Sequence, residues 1–254
     1  MKSRKRVFST IVALAFLFSA GALSSARAEE MMHEHGSDAS MQMHHLHMLM
    51  NHGLEMVVAG SNLVMLADMK MAPSLDPMTA EHGRAMIKSG REIIEHALKG
   101  PEMQAMHKAG HGDAPLMKYT HELANAELSV VDLLEKMNME GTMTADMMAM
   151  HHMHIIMNHA LEMAAQGSNM VMLGQMGMAG EIDKYSMDHG KMMLSQAKSM
   201  ISDVMGGKAM MDMHQKGVTG GNAMMADTHK LGDAEKKVVE LLDTMAAAAS
   251  PMAM

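Results

Sequence analysis

Imidazoles, thioethers and a carboxylate recur at helical spacing in two stretches of the 254-residue chain. The first, 44–71, reads HHLHMLMNHGLEMVVAGSNLVMLADMKM, and the second, 151–178, reads HHMHIIMNHALEMAAQGSNMVMLGQMGM. At about 100° per residue on a helix, Leu46, Leu49, Met50, Gly53, Leu54, Val57 and Val64 gather on one face. His44, His45, Met48, His52, Glu55 and Met56 gather on the other. A surface helix ordinarily opposes its apolar stripe with Lys, Glu and Gln. Here the second face carries groups that donate electron pairs to metals. The second stretch keeps His151, His152, His159, Glu162 and Met163, with Ile155 in place of Met48. Helical spacing makes His45, His52 and Met56 neighbours across successive turns and sets Glu55 beside His52.

Thioethers select soft ions such as Cu(I) or Ag(I), and imidazole accepts Cu(I), Cu(II) and Zn(II). The chain has no Cys, which excludes disulfides, thiolate metal sites and CxxCH haem attachment. It has 42 Met and 18 His but no Trp, two Tyr and three Phe, and all three Phe precede residue 29. Beyond that point the core must be built from Met, Leu, Ile, Val and Ala. Met fills irregular gaps and forms helices well, so core filling accounts for most of the Met residues. It accounts poorly for Met31, Met32, Met41 and Met43 near the first stretch, or for Met147, Met148, Met150 and Met153 crowded beside three His. An aliphatic core there would use Leu, whose rotamers are better defined.

The two stretches belong to a longer internal repeat. The offset of 107 from His44 to His151 also relates His82 to His189, Met86 to Met193 and His107 to His214. One inserted residue then makes it 108, relating His121 to His229 and Glu127 to Glu235. Fourteen of the 18 His are shared in this way, including His47 with His154. A period this long means two domain-sized copies rather than a solenoid. The expected architecture is all-α, a tandem duplication of a three- to four-helix up-and-down bundle unit. Each copy reads as a long helix, a second helix, a short one and a third long one. In the first copy these are about 41–69, a helix opening at Asp76-Pro77 and stopping at Gly100-Pro101, 102–109, and 114–137. In the second they are about 146–177, 181–205, 208–216 and 221–247. Gly60-Ser61-Asn62 and Gly167-Ser168-Asn169, shared inside the long helices, suggest close helix packing or a kink.

A basic start (Lys2, Arg4, Lys5, Arg6), an apolar run from Val7 to Leu23 and Ala26-Arg27-Ala28 form the pattern of a secretory signal peptide. The expected organisation is a signal peptide at 1–28, a mobile tail at 29–40, helical units at 41–140 and 146–247, and a tail at 248–254. Losing those four basic residues and Arg27 lowers the formal charge from −8 to −13. An acidic chain repels nucleic acid and anionic membranes, and no later stretch is long and apolar enough to span a bilayer. No nucleophile–base set, phosphate loop or basic recognition patch is present, so an enzyme is not expected.

The motif HHxHxxMNHxxEM, at 44–56 and 151–163, together with the Met/His composition resembles periplasmic Met/His-rich copper-binding helical bundles of the copper-resistance and copper-storage type. The resemblance covers the first long helix of each copy and implies periplasmic copper binding for sequestration, or handover to another copper protein of that compartment. Cu(I) is the favoured ion, with Cu(II) at the His-rich ends. The expected ligands are His44, His45, His47, Met48, His52, Glu55, Met56, His82, Met86, His107 and His121. Their partners in the second copy are His151, His152, His154, His159, Glu162, Met163, His189, Met193, His214 and His229. Two other readings stay open. A ferritin-like di-metal protein needs Glu-x-x-His on two helices, whereas the order here is reversed in His52-x-x-Glu55 and His159-x-x-Glu162. A Met-rich oxidant sink leaves the repeated His unexplained.

Overall fold

The structure, a computed structural model, describes residues 38–70, 72–110, 115–137, 143–217 and 223–248. The expected signal peptide, residues 29–37 of the expected tail and the chain after Ala248 lie outside the described residues. The chain is all-α. In order it forms α1 (Asp38–Asp68), α2 (Asp76–Lys99), α3 (Pro101–Lys108) and α4 (Pro115–Lys136), then α5 (Ala145–Gln175), α6 (Glu181–Gly206), α7 (Lys208–Gln215) and α8 (Ala223–Ala248). The halves match element for element: α1 and α5 have 31 residues each, and α3 and α7 have 8 each.

Local chemistry fixes the boundaries. Thr144 caps α5 by accepting the Met147 N–H on its hydroxyl at 3.2 Å. The break between α2 and α3 is Gly100, in extended conformation, followed by Pro101 at the first helical position. Asp76 does not cap α2 as its place before Pro77 suggests. The N-cap is Leu75, without a side-chain bond, and the Asp76 carboxylate accepts the Ala72 N–H at 3.3 Å, holding the incoming turn instead.

Glycines set the helix pairs. A Cβ on Gly60 would lie 2.5 Å from the Gly83 carbonyl oxygen, and one on Gly53 would lie 2.8 Å from that of Gly90. As numbers rise along α1 they fall along α2, so the pair is antiparallel and in backbone contact. Gly167 against Gly190 and Gly174 against Asp183 do the same for α5 and α6. The shared Gly-Ser-Asn segments are thus close-packing points. Arg91 on α2 ties down the far end of α4, with Nη2 2.5 Å from Asp132 and 2.8 Å from Glu135.

Ala39–Met254 forms one compact unit. Asn51 on α1 donates to Asn169 on α5, and Asn158 on α5 donates to Asn62 on α1, both at 2.8 Å. One apolar core runs through both halves, joining Leu54, Val57 and Leu123 to Leu161, Leu231 and Val239. The long helices α1 and α5 are buried nearly all round, whereas α2 buries a single stripe of small and aliphatic residues. The two-faced reading of 44–71 is corrected accordingly: His44 is buried, and Leu49, placed on the apolar face, is 38 % exposed.

Candidate metal centres

Most of the expected ligands fall into three groups. The first is two surface pairs of histidines. His107 on α3 and His121 on α4 bring their Nε2 atoms to 3.0 Å, and His214 on α7 and His229 on α8 do the same at 3.0 Å. The ring planes are inclined by 32° and 33°, so the two halves build one geometry twice. The short helices α3 and α7 present these rings, because the Gly-Pro break at Gly100 and the break at Gly207 redirect the chain toward the third long helix. One ring donates N–H and the other accepts. Burial, and then the neighbouring His107, lower the pKa of His121, which keeps its lone pair available at neutral pH. Two imidazoles ligating one ion at about 2.0–2.1 Å lie about 2.8–3.4 Å apart in square-planar or tetrahedral arrangements, and about 4 Å apart when linear. The observed separation fits the first two.

The second group is buried. His47 Nε2 is 2.6 Å from Thr120 Oγ1, and His154 Nε2 is 2.8 Å from Thr228 Oγ1. Each hydroxyl spends its proton on the carbonyl four residues back, Leu116 at 2.7 Å and Met224 at 2.8 Å. Thr120 Oγ1 also lies 3.0 Å from Met43 Sδ, a weaker acceptor. With its proton directed to the carbonyl, each hydroxyl accepts from the imidazole in the Nε2–H tautomer, which leaves the lone pair on Nδ1. Burial pushes His47 down to about 3 and His154 down to about 4, so both rings are neutral. His44 and His151 are buried beside them and lowered for the same reason. Among the described residues no group hydrogen-bonds His44 Nδ1, His154 Nδ1 or either nitrogen of His151.

The third group lies around the crossing of α1 and α5. Glu55 Oε2 is 3.7 Å from His52 Nδ1, and Glu162 Oε2 is 3.6 Å from His159 Nδ1. Burial raises the Glu55 carboxyl; His52 pulls it down and Glu162 raises it further, so the two carboxyls are within electrostatic reach. Met56 and Met163 are half-buried here.

The remaining expected ligands are scattered. His45, His152 and His82 are exposed, Met48 is half-buried, and His189 stacks on Tyr185 with centroids 5.8 Å apart. Met86 and Met193 pack over Gly60 and Gly167. Among the described residues no three His, Asp or Glu side chains converge as a metal-holding group. A carboxylate-bridged di-metal centre needs such a group.

Two features escaped the sequence reading, and a third corrects it. Thr120 and Thr228 fix the buried imidazoles, and their only signal was their repeat beside His121 and His229. Glu127 and Glu235 are fully buried, both oxygens of each lack a hydrogen-bond partner, and burial raises both carboxyls well above their ordinary value. Met150, Met153, Met210, Met213 and Met225 form a buried cluster of their own, with Met147, Met205 and Met224 packed against it. Met43, Met150 and Met153, which core filling was expected to explain poorly, are thus core residues. The first half has Leu46, Leu98 and Leu116 where this cluster has Met153, Met205 and Met224. These three positions hold hydrocarbon in one half and sulfur in the other, whereas Met150, Met210, Met213 and Met225 answer to Met43, Met103, Met106 and Met117. His214 and His229 each lie four residues beyond a cluster member, Met210 and Met225.

Compared with protein-family models, curated proteins and solved structures, the chain matches none.

Proposed function

We propose that this is an exported copper-binding protein that sequesters the ion, or hands it on, outside the cytoplasm. The observation that carries the reading is the paired histidine geometry, His107–His121 and His214–His229, each with Nε2 atoms 3.0 Å apart. A lone surface imidazole is ordinary. Two such pairs, at matching places and at a ligating separation, are donor sites for a borderline ion such as Cu(II). The neighbouring thioethers of the second half supply soft donors suited to Cu(I). Export follows from the signal-like start at 1–28, and the absence of Cys leaves Met and His as the soft and borderline ligands in an oxidising compartment. The role is binding, not catalysis. A sacrificial oxidant sink is less well supported, because Met50, Met103, Met106, Met117 and Met157 are sealed in the core.

The test is titration of the chain from Glu29 with Cu(II), Zn(II), and Cu(I) under a competing chelator, with H121A and H229A alongside. Tight copper binding that weakens in both variants supports the reading. Copper binding indifferent to both substitutions removes the paired histidines from it.

A further inference from the structure

A small cavity of about 10 Å³ lies where all four central helices meet, lined by His44 and His47 from α1 and by Ser168, Met172 and Gln175 from α5. Leu116, Met245 and Ala246 close it. It has room for about one water or one ion. The donor set comes from both halves, so neither half completes it alone. His47 is oriented by Thr120, which takes up Nε2–H and leaves the other ring nitrogen with a lone pair. Second-sphere bonds of this kind fix tautomer and ring orientation in histidine metal sites. His44 is 4 % exposed, and its Nδ1 has no protein hydrogen-bond partner.

We propose that this cavity binds a soft monovalent cation, Cu(I) or Ag(I), through the unpartnered Nδ1 of His44, the imidazole of His47 and the thioether of Met172. Two imidazoles and a thioether are a soft-to-borderline set. No carboxylate lines the cavity, so a bound dication would keep its full charge in a low-dielectric interior, where desolvation is expensive. A monovalent ion avoids most of that penalty. The repeat relates His44, His47 and Met172 to His151, His154 and Met65, with Ser61 in the place of Ser168. There, three ring nitrogens of His151 and His154 lack a protein hydrogen-bond partner. But Asp68 stands in the place of Gln175 and brings a carboxylate, so the preference for a monovalent ion belongs to the His44–His47 cavity alone. The proposal shares its ligand class with the copper-binding reading but uses none of the surface pairs.

The experiment is Ag(I) titration of the chain from Glu29 carrying H107A, H121A, H214A and H229A, which separates this site from the surface pairs. Silver is redox-inert and reports soft binding alone. ¹⁵N spectra of the histidine side chains should show the ring nitrogens of His44 and His47 shifting as silver is added. M172L, which preserves volume, should abolish those shifts, and T120V should weaken binding about 10–100-fold, as loss of a second-sphere partner does. If the His44 and His47 resonances stay put at saturating silver, the cavity holds water only and the proposal falls. That spectrum needs no cavity variant, so it decides the matter even if M172L fails to fold. Persistence of the shifts in a folded M172L would overturn the thioether's part.

Discussion

Asn51 donates to Asn169 across the seam between α1 and α5, and its counterpart Asn158 donates to Asn62 in the opposite sense, both at 2.8 Å. Residue i of one half meets residue j of the other, and j meets i, which is the pattern of a two-fold interface. Eleven residues up α1 correspond to eleven down α5, so the helices run antiparallel about the point where Met56 and Met163 fall. The halves should then unfold together. Denaturation of the whole chain is expected to be one transition, and N51A is expected to cost about 1–3 kcal/mol by stranding the Asn169 carbonyl. Two separate transitions would contradict the shared core.

Gly60 and Gly83 bring the backbones of α1 and α2 together with no room for a methyl group, since a Cβ on either would lie 2.5 Å from the other's carbonyl oxygen. G60A should destabilise by about 1–3 kcal/mol through overpacking, although Ala is the better helix former. Urea unfolding measures this. A stabilised G60A would show that the helices can separate at no cost.

The sulfur cluster of the second half has its own control in the first. Changing Met153, Met205 and Met224 to Leu gives the second half the residues already accepted at 46, 98 and 116. Each exchange should cost less than about 1.5 kcal/mol, and the triple variant should bind less Cu(I) under a competing chelator. Unchanged Cu(I) uptake would return these Met to the role of core filler.

Glu127 and Glu235 set a pH dependence of the metal-free protein. Burial keeps both carboxyls protonated well above the 4.5 at which they ionise when exposed. Between those values the folded state holds more protons than the unfolded state, so stability falls as pH rises. His47 and His154, lowered to about 3 and about 4 from 6.5, act the other way and weaken the fold only below pH 6.5. Above that, the slope belongs to the carboxyls. Over the pH range in which the folded carboxyls stay protonated and the unfolded ones do not, stability should fall as pH rises, and E127Q with E235Q should flatten that fall. E127M, which removes the unpaired polar group, should add about 1–3 kcal/mol at pH 7. A double variant whose stability changes with pH as the wild type's does would rule this out.

Helix order and type were legible because the 3.6-residue periodicity and the repeat offset are written in the chain. Pro77 and Pro101 carried the starts of α2 and α3. The fate of each histidine was less legible. His44 and His45 are adjacent in sequence, yet one is buried and the other exposed, because the burying surface comes from α5 and α8, far along the chain. The same holds for Met172, which looks like core filler until α5 is laid antiparallel against α1. His107 and His121 could be listed as candidates, but their 3.0 Å pairing depends on how α3 leaves the Gly100 break. Glu127 and Glu235 gave no warning of their burial beyond lying in an apolar run.

The paired histidines are tested most directly by electron paramagnetic resonance of Cu(II) bound to the chain from Glu29, recorded for the wild type and for H121A with H229A. A spectrum with coupling to two imidazole nitrogens per copper, lost in the double variant along with tight binding, is the expected result. A wild type that does not retain Cu(II) against a modest chelator, or whose spectrum is unchanged in the variant, would contradict copper binding at these pairs.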